Sequence, residues 1–225
     1  MRPHVAEALI AFDLDGTLID SAPDIHAIAN EVLAEEGAAT ITLEDARGFV
    51  GRGAANFVAQ MRAARGIAES EQARLLDAYL SRYQGAVGLT TVYPGAAEAL
   101  EALRGAGHRL CLCTNKPEAP TEAVLDHFDL ARFFDVVVGG DTLAVRKPDP
   151  APLLAAYDRA GSDGPRVFVG DSEIDAETAR AAGVPFLLFT EGYRKAAADS
   201  LPHHARFDRF EALPGLVRDL LAGRG

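Results

Sequence analysis

Ala8-Leu9-Ile10-Ala11-Phe12 runs without interruption into Asp13-Leu14-Asp15-Gly16-Thr17-Leu18. A short apolar run closed by an Asp-Gly turn signal predicts a buried strand that delivers two carboxylates to its C-terminal end. Acids this close raise each other's pKa unless a cation neutralises them, so the pair calls for a bound metal or for shared proton chemistry. A calcium loop of the D-x-[DN]-x-[DN]-G type fits poorly. Gly16 follows Asp15 with no third acid before it, Leu14 and Leu18 are apolar, and the segment upstream reads as a strand where such a loop needs a helix. On these residues alone, a strand ending in a solvated Asp-Gly turn is the plainer alternative.

Beyond Ser21 the pattern turns helical. Ile25, Ile28, Val32 and Leu33 share one face, with Gly37 as a stop. Thr42 can cap a short helix through Phe49; Phe57, Val58 and Met61 mark another that ends near Gly66; Ser70 can cap one whose Leu76, Tyr79, Leu80 and Tyr83 align. No strand pattern intervenes. From Tyr93-Pro94-Gly95 onward helices alternate with strands: helices over 96–105, 119–127, 151–160 and 174–182, strands over 108–113, 135–138, 166–170 and 185–189. This alternation predicts an α/β fold, a doubly wound parallel sheet covered on both faces. The first strand is separated from its sheet by an all-helical insertion. The expected division is a core of residues 1–21 and 89–225 and a helical cap of 22–88, hinged near 20–24 and 85–93.

Composition narrows the function. With 225 residues, 48% of them hydrophobic, the chain has ample material for a packed interior. A formal charge of −11 and scattered Lys and Arg argue against nucleic acid or an anionic membrane as partner. Cys111 and Cys113, two apart in a strand, point to the same face and read as core thiols, with a reducing cytoplasm as the default compartment. The stretch Met1–Glu7 lacks an apolar signal region, and no apolar run reaches membrane-spanning length.

In open α/β sheets ligands bind beyond the carboxyl ends of the strands, so residues just after separate strands converge. Thr114-Asn115-Lys116 follows the strand 108–113 and offers a hydroxyl and an amide that can donate to phosphate oxygens; a polar turn capping the next helix explains it equally well. In Arg146-Lys147-Pro148-Asp149-Pro150 the prolines stiffen the backbone near Lys147, whose ammonium can neutralise a phosphoryl group, although an isolated lysine is normally just solvated. Val167-Phe168-Val169-Gly170-Asp171-Ser172-Glu173-Ile174-Asp175 reads as a buried strand ending in acids at i and i+4, with a helix start that favours acids as the alternative. Together these segments place acids, an ammonium and uncharged donors at or just beyond the ends of separate strands.

Phe12-Asp13-Leu14-Asp15-Gly16-Thr17-Leu18-Ile19-Asp20-Ser21 resembles the first motif of the haloacid-dehalogenase-like (HAD) phosphatases, and the three later segments match the family's further motifs in order. The resemblance implies a helical cap at the insertion point. It implies that Asp13 is the nucleophile and Asp15 the general acid and base. Thr114, Asn115 and Lys147 would bind phosphate. Mg²⁺ would be held by Asp13, the main-chain carbonyl of Asp15, and Asp171, with Asp175 supporting from behind. Haloacid dehalogenases lack the second acid and phosphonate hydrolases carry a small residue at the Asp15 position, so ester hydrolysis is favoured.

Gly139-Gly140-Asp141-Thr142-Leu143 and Gly192-Tyr193 resemble phosphoglycolate phosphatases in particular, although Arg194 stands where that family often has Asn. The expected activity is Mg²⁺-dependent hydrolysis of a small phosphorylated metabolite, most simply 2-phosphoglycolate, through an aspartyl-phosphate. A sugar-phosphate phosphatase or phosphomutase shares the same core residues. A non-catalytic phospho-ligand or partner-binding protein of this fold is the alternative of another class. In the cap, Val50-Gly51-Arg52-Gly53-Ala54 lets backbone approach a ligand, and Arg52 can pair with a substrate carboxylate; a flexible connector is the competing account.

Overall fold

A computed structural model describes residues 7–223. The expectation for the first residues therefore lies, apart from Glu7, outside the described residues. The strands are β1 (Leu9–Phe12), β2 (Ile19–Asp20), β3 (Thr91–Val92), β4 (Arg109–Cys113), β5 (Val136–Val138), β6 (Arg166–Gly170), β7 (Phe186–Phe189) and β8 (Ala205–Phe207). The helices are α1 (Ala22–Glu35), α2 (Leu43–Phe49), α3 (Ala54–Ala64), α4 (Gln72–Tyr83), α5 (Ala96–Gly105), α6 (Glu118–His127), α7 (Ala151–Ala160), α8 (Glu173–Ala182) and α9 (Leu213–Leu221). Six strands pair in the order β5-β4-β1-β6-β7-β8, all parallel. None of the described helices is long and apolar enough to cross a membrane.

The uninterrupted apolar run of β1 follows from its place at the centre, where helices cover both faces. Alternation then divides it. Ile10 and Phe12 join Leu110, Leu112, Val167 and Val169 beneath residues of α5, α6 and α9, whereas Leu9 and Ala11 join Cys111, Cys113 and Phe168 beneath α7 and α8. Both cysteines are free, buried and on one face, as the spacing predicts.

Helices α1 to α4 pack on one another around a core of their own that includes Ile25, Val32, Phe57, Met61, Leu75 and Tyr79. This is the inserted helical cap. Its two crossings are tied together where they leave the sheet: β2 and β3 form an antiparallel pair, and the Asp24 carboxylate accepts from Leu89 N, Thr90 N and Thr90 Oγ1 at 2.6–3.1 Å. Thr42 caps α2 in a reciprocal box with Asp45, as expected. Ser70 does not cap α4; it lies in a short 3₁₀ turn, Glu69–Glu71, and the helix starts at Gln72 without a side-chain cap. The fully buried face of α4 is Leu75, Tyr79 and Tyr83, an i, i+4, i+8 row, while Leu76 and Leu80 are only partly buried.

Two elements lie beyond the predicted alternation. Strand β8 has three residues at the sheet edge, too few for a period to show, and α9 opens with Leu213-Pro214-Gly215, residues that read as a turn although proline suits a helix's first turn.

Candidate active site

The sheet order places β1 between β4 and β6, so the carboxyl ends of three adjacent strands meet at the centre of one sheet edge. Asp13, Thr114 and Asp171 are each the first residue past one of those strands. Asp13 N donates to Val169 O at 2.9 Å and Thr114 N to Val138 O at 3.0 Å, so the ladder continues for one residue and fixes both side chains.

Asp13 lies 2.8 Å through Oδ1 from Lys147 Nζ, which reaches the centre from the loop after β5 and donates to Asp175 Oδ1 at 2.6 Å. The loop is held by Asn115: its Oδ1 accepts from Lys147 N, and its Nδ2 donates to Lys147 O at 2.9 Å and to Gly51 O, in the cap, at 2.8 Å. Both amide hydrogens of Asn115, expected at a phosphate, are thus engaged by carbonyls here. Thr114 Oγ1 accepts from Lys116 N, and its own proton meets no acceptor among the described residues.

Asp175 is fully buried and its oxygens are taken: Oδ1 by Lys147, Oδ2 by the N–H and hydroxyl of Ser172 in a capping box that starts α8. Asp171 receives Thr17 Oγ1 at 2.8 Å and Tyr193 N at 2.6 Å, both neutral donors. Asp15 accepts from Ser21 Oγ at 2.5 Å and Lys116 Nζ at 3.2 Å. Thr17, Lys116 and Tyr193 stand in the sequence motifs with no local sign of a role, because their partners Asp171, Asp15 and Asp20 lie 154, 101 and 173 positions away. The Ser21 hydroxyl reaches Asp15 only six positions back, but no sequence period marks that contact.

Burial, reinforced by the Asp175 charge, pushes the Asp13 carboxyl up to about 7 against the lowering influence of Lys147. Burial and the Asp175 and Asp13 charges push Asp171 well above the carboxylate range. Burial alone would lower the Lys147 ammonium, but Asp13 and Asp175 outweigh it and hold it up. Asp13, Asp171 and Asp175 offer oxygens within 4.8 Å of one another. Four carboxylates, those of Asp13, Asp15, Asp171 and Asp175, face two ammonium groups, those of Lys116 and Lys147. When all are ionised the cluster falls two positive charges short of neutral, and the donor set is hard oxygen, so the residues fit a divalent cation of the Mg²⁺ kind.

Two spaces open from Asp13 and Asp15. An inner cavity of about 40 Å³ runs under the cap, lined also by Phe57, Tyr79, Tyr83 and Lys116. An outer cleft of about 690 Å³ is lined by Asp171, Tyr193 and Arg52, the last exposed and with no carboxylate partner among the described residues. The close approach of three chain segments at Asp171 explains Gly192: a Cβ there would stand 2.3 Å from both Asp171 Oδ2 and Gly16 O. Gly192→Ala is expected to lower stability by roughly 1–3 kcal/mol, as overpacking does, and to reduce activity by displacing Asp171. Thermal unfolding and turnover check it; if neither moves, the 190s loop yields without cost.

A family model for haloacid dehalogenase-like hydrolases matches residues 8–183. The chain is 49% identical over 216 residues to a phosphoglycolate phosphatase of Cereibacter sphaeroides (strain ATCC 17029), covering 95% of this chain and 99% of that one. It is 46% identical over 217 residues to the phosphoglycolate phosphatase of Rhodobacter capsulatus, covering 95% and 97%. Among solved structures, a predicted phosphoglycolate phosphatase from Haemophilus somnus 129PT superposes with a TM-score of 0.86 at 28% identity, covering 93% of this chain and 97% of that one. CbbY from Rhodobacter sphaeroides, solved with phosphate, gives 0.79 at 26% identity, covering 95% and 98%. With matches of this extent behind the geometry, the chain belongs to the haloacid dehalogenase-like hydrolases.

Proposed function

We propose that this chain is a Mg²⁺-dependent phosphatase that hydrolyses 2-phosphoglycolate to glycolate and phosphate through an aspartyl-phosphate on Asp13. The observation that carries the proposal is the Asp13 carboxylate at the end of the central strand, 2.8 Å from a buried lysine and beside a second acid, Asp15. The phosphoglycolate phosphatases at 46–49% identity over nearly the whole chain support the choice of substrate.

An oxygen of Asp13 attacks phosphorus in line with the ester oxygen, forming the aspartyl P–O bond as the P–O bond to the leaving group breaks. Asp15 gives its proton to the departing glycolate oxygen, then takes one from the water that cleaves the acyl phosphate, and so returns to its starting state. Ser21 and Lys116 hold Asp15 in place for both steps. Lys147 stabilises negative charge on the equatorial phosphoryl oxygens, joined by the free Thr114 hydroxyl. Asn115 fixes the Lys147 backbone, and its amide can turn to phosphate only by releasing the carbonyl of Gly51, in the cap, or that of Lys147. We take residues 22–88 as the cap and 1–21 with 89–225 as the core. Asp13, Asp171 and the main-chain carbonyl of Asp15 would hold Mg²⁺, with Asp175 orienting Lys147 and the start of α8. When bound, the ion offsets the repulsion between an anionic nucleophile and an anionic phosphate.

Phosphate release from 2-phosphoglycolate, ethyl phosphate and glucose 6-phosphate, with Mg²⁺ and with excess EDTA, tests the proposal. The expected kcat/KM for 2-phosphoglycolate exceeds that for the hexose phosphate by about tenfold or more, ~1.4 kcal/mol in barrier. EDTA is expected to remove most of the activity and added Mg²⁺ to restore it. Undiminished hydrolysis in EDTA would overturn the metal assignment, and a preference for the hexose would overturn the substrate.

A further inference from the structure

One cation of the site has no part in the chemistry above beyond holding Asp15. Lys116 is carried inward by the turn after β4, and its side chain is 1% exposed. Two of its three ammonium hydrogens have partners: Asp15 Oδ1 at 3.2 Å and the Tyr83 hydroxyl, from the cap helix α4, at 2.6 Å. The third is free, because a lysine ammonium carries three donors. The Tyr83 hydroxyl accepts from Lys116 and donates to nothing among the described residues; the Tyr79 hydroxyl, one turn earlier, has no hydrogen-bond partner among them either. Burial first, and then neighbouring anionic groups such as Asp15, push both phenols far above their ordinary range, so they stay protonated and can donate.

All three groups line the inner cavity that begins at Asp13 and Asp15. At about 40 Å³ it is narrow beside the outer cleft of about 690 Å³. That suits a carboxylate and its methylene rather than a sugar ring. The Lys116 charge already faces Asp15 at 3.2 Å. What the cavity still offers is the third N–H of that ammonium and two phenolic O–H groups, a set of donors without an acceptor that a carboxylate, with its several lone pairs, can engage together.

We propose that Lys116, with the hydroxyls of Tyr83 and Tyr79, forms the subsite that receives the carboxylate of the substrate, so that one end of the acid is read by the cap and the core together. This rests on the phosphatase reading and deepens it. It moves the reading of the carboxylate inward from Arg52, which stands exposed on the outer cleft. It also ties cap position to substrate charge, because Tyr83 arrives only with α4.

The test compares 2-phosphoglycolate with ethyl phosphate, in which a methyl group replaces the carboxylate. In Lys116→Met the ratio of kcat/KM for acid over ester is expected to fall by about tenfold or more, carried by a higher KM for the acid. Tyr83→Phe, which keeps the ring and removes one donor, is expected to lower that ratio by roughly threefold, the size of one modest hydrogen bond. Arg52→Ala is expected to change it less than Lys116→Met. Equal losses on both substrates, expressed in kcat, would overturn the subsite and leave Lys116 as a residue that positions Asp15. Should Lys116→Met fail to fold, Tyr83→Phe decides, and an unchanged ratio there would overturn the proposal. If the wild-type protein hydrolyses neither ester, the phosphatase reading fails and the subsite with it, an outcome distinguished by that control from failure of the subsite alone.

Discussion

Replacing Asp13 with Asn is expected to reduce phosphate release by at least about 10⁴-fold, ~5.5 kcal/mol in barrier, while leaving the protein folded. The carboxamide keeps the size and shape of the side chain but has no anionic oxygen with which to attack phosphorus, so the covalent path closes altogether. The fold should tolerate the change. Lys147 keeps Asp175 Oδ1 at 2.6 Å, and the amide oxygen can still accept at the Asp13 Oδ1 position, 2.8 Å from the same ammonium. Removing one of three clustered carboxylates also removes repulsion that, after burial, raises the Asp13 and Asp171 carboxyls. The melting temperature of metal-free Asp13→Asn should therefore equal or exceed that of the metal-free wild type. Rapid acid quenching during turnover of labelled substrate should trap phosphoryl-enzyme in the wild type and none in the variant. Hydrolysis within tenfold of the wild type, about 1.4 kcal/mol, would take Asp13 out of the nucleophile's role.

What the sequence could announce was whatever is written locally. The continuous apolar stretch at 8–12 and the alternation after Pro94 carry the parallel sheet, because a central strand buried on both faces and an amphipathic covering helix each have their own period. The residues that follow three of those strands could be named in advance, since topology alone brings Asp13, Thr114 and Asp171 to one edge. Contacts between segments distant in sequence have no such signature. Nothing near Tyr83 indicates that its hydroxyl meets Lys116, 33 positions on, and nothing near Thr17 indicates Asp171. Asn115 shows the limit from the other side: its residue type suits phosphate, yet the carbonyls of Gly51 and Lys147 occupy its amide here. Ser70 was a sound cap by type and was displaced by a 3₁₀ turn that starts α4 two residues later. The short edge strand β8 could not be read at all, because three residues carry no measurable period.

Lys147→Met should damage stability and catalysis together, which separates it from the nucleophile variant. Methionine matches lysine in length and carries no charge, so the change isolates the ammonium. That group is 2% exposed and lies between Asp13 and Asp175, at 2.8 and 2.6 Å. Without it, two buried carboxylates face each other with only neutral donors, a loss of about 3–5 kcal/mol for breaking a buried pair from one side. The deficit should depend on pH in a stated direction. The folded-state pKa of Asp13 is already raised to about 7, above its unfolded value, and losing the neighbouring cation can only raise it further. A group shifted in that sense favours the folded state when protonated, so the destabilisation is full above the folded pKa and eases as pH falls through it. The gap in melting temperature between metal-free wild type and Lys147→Met should accordingly narrow on acidification from about pH 8 towards 6, the range around the raised Asp13 pKa. Turnover should fall by roughly 10²–10³-fold, as when a preorganised donor to developing charge is removed, and Mg²⁺ should not restore it. A gap that widens on acidification would mean that Lys147 is not what offsets the Asp13 charge in its buried site.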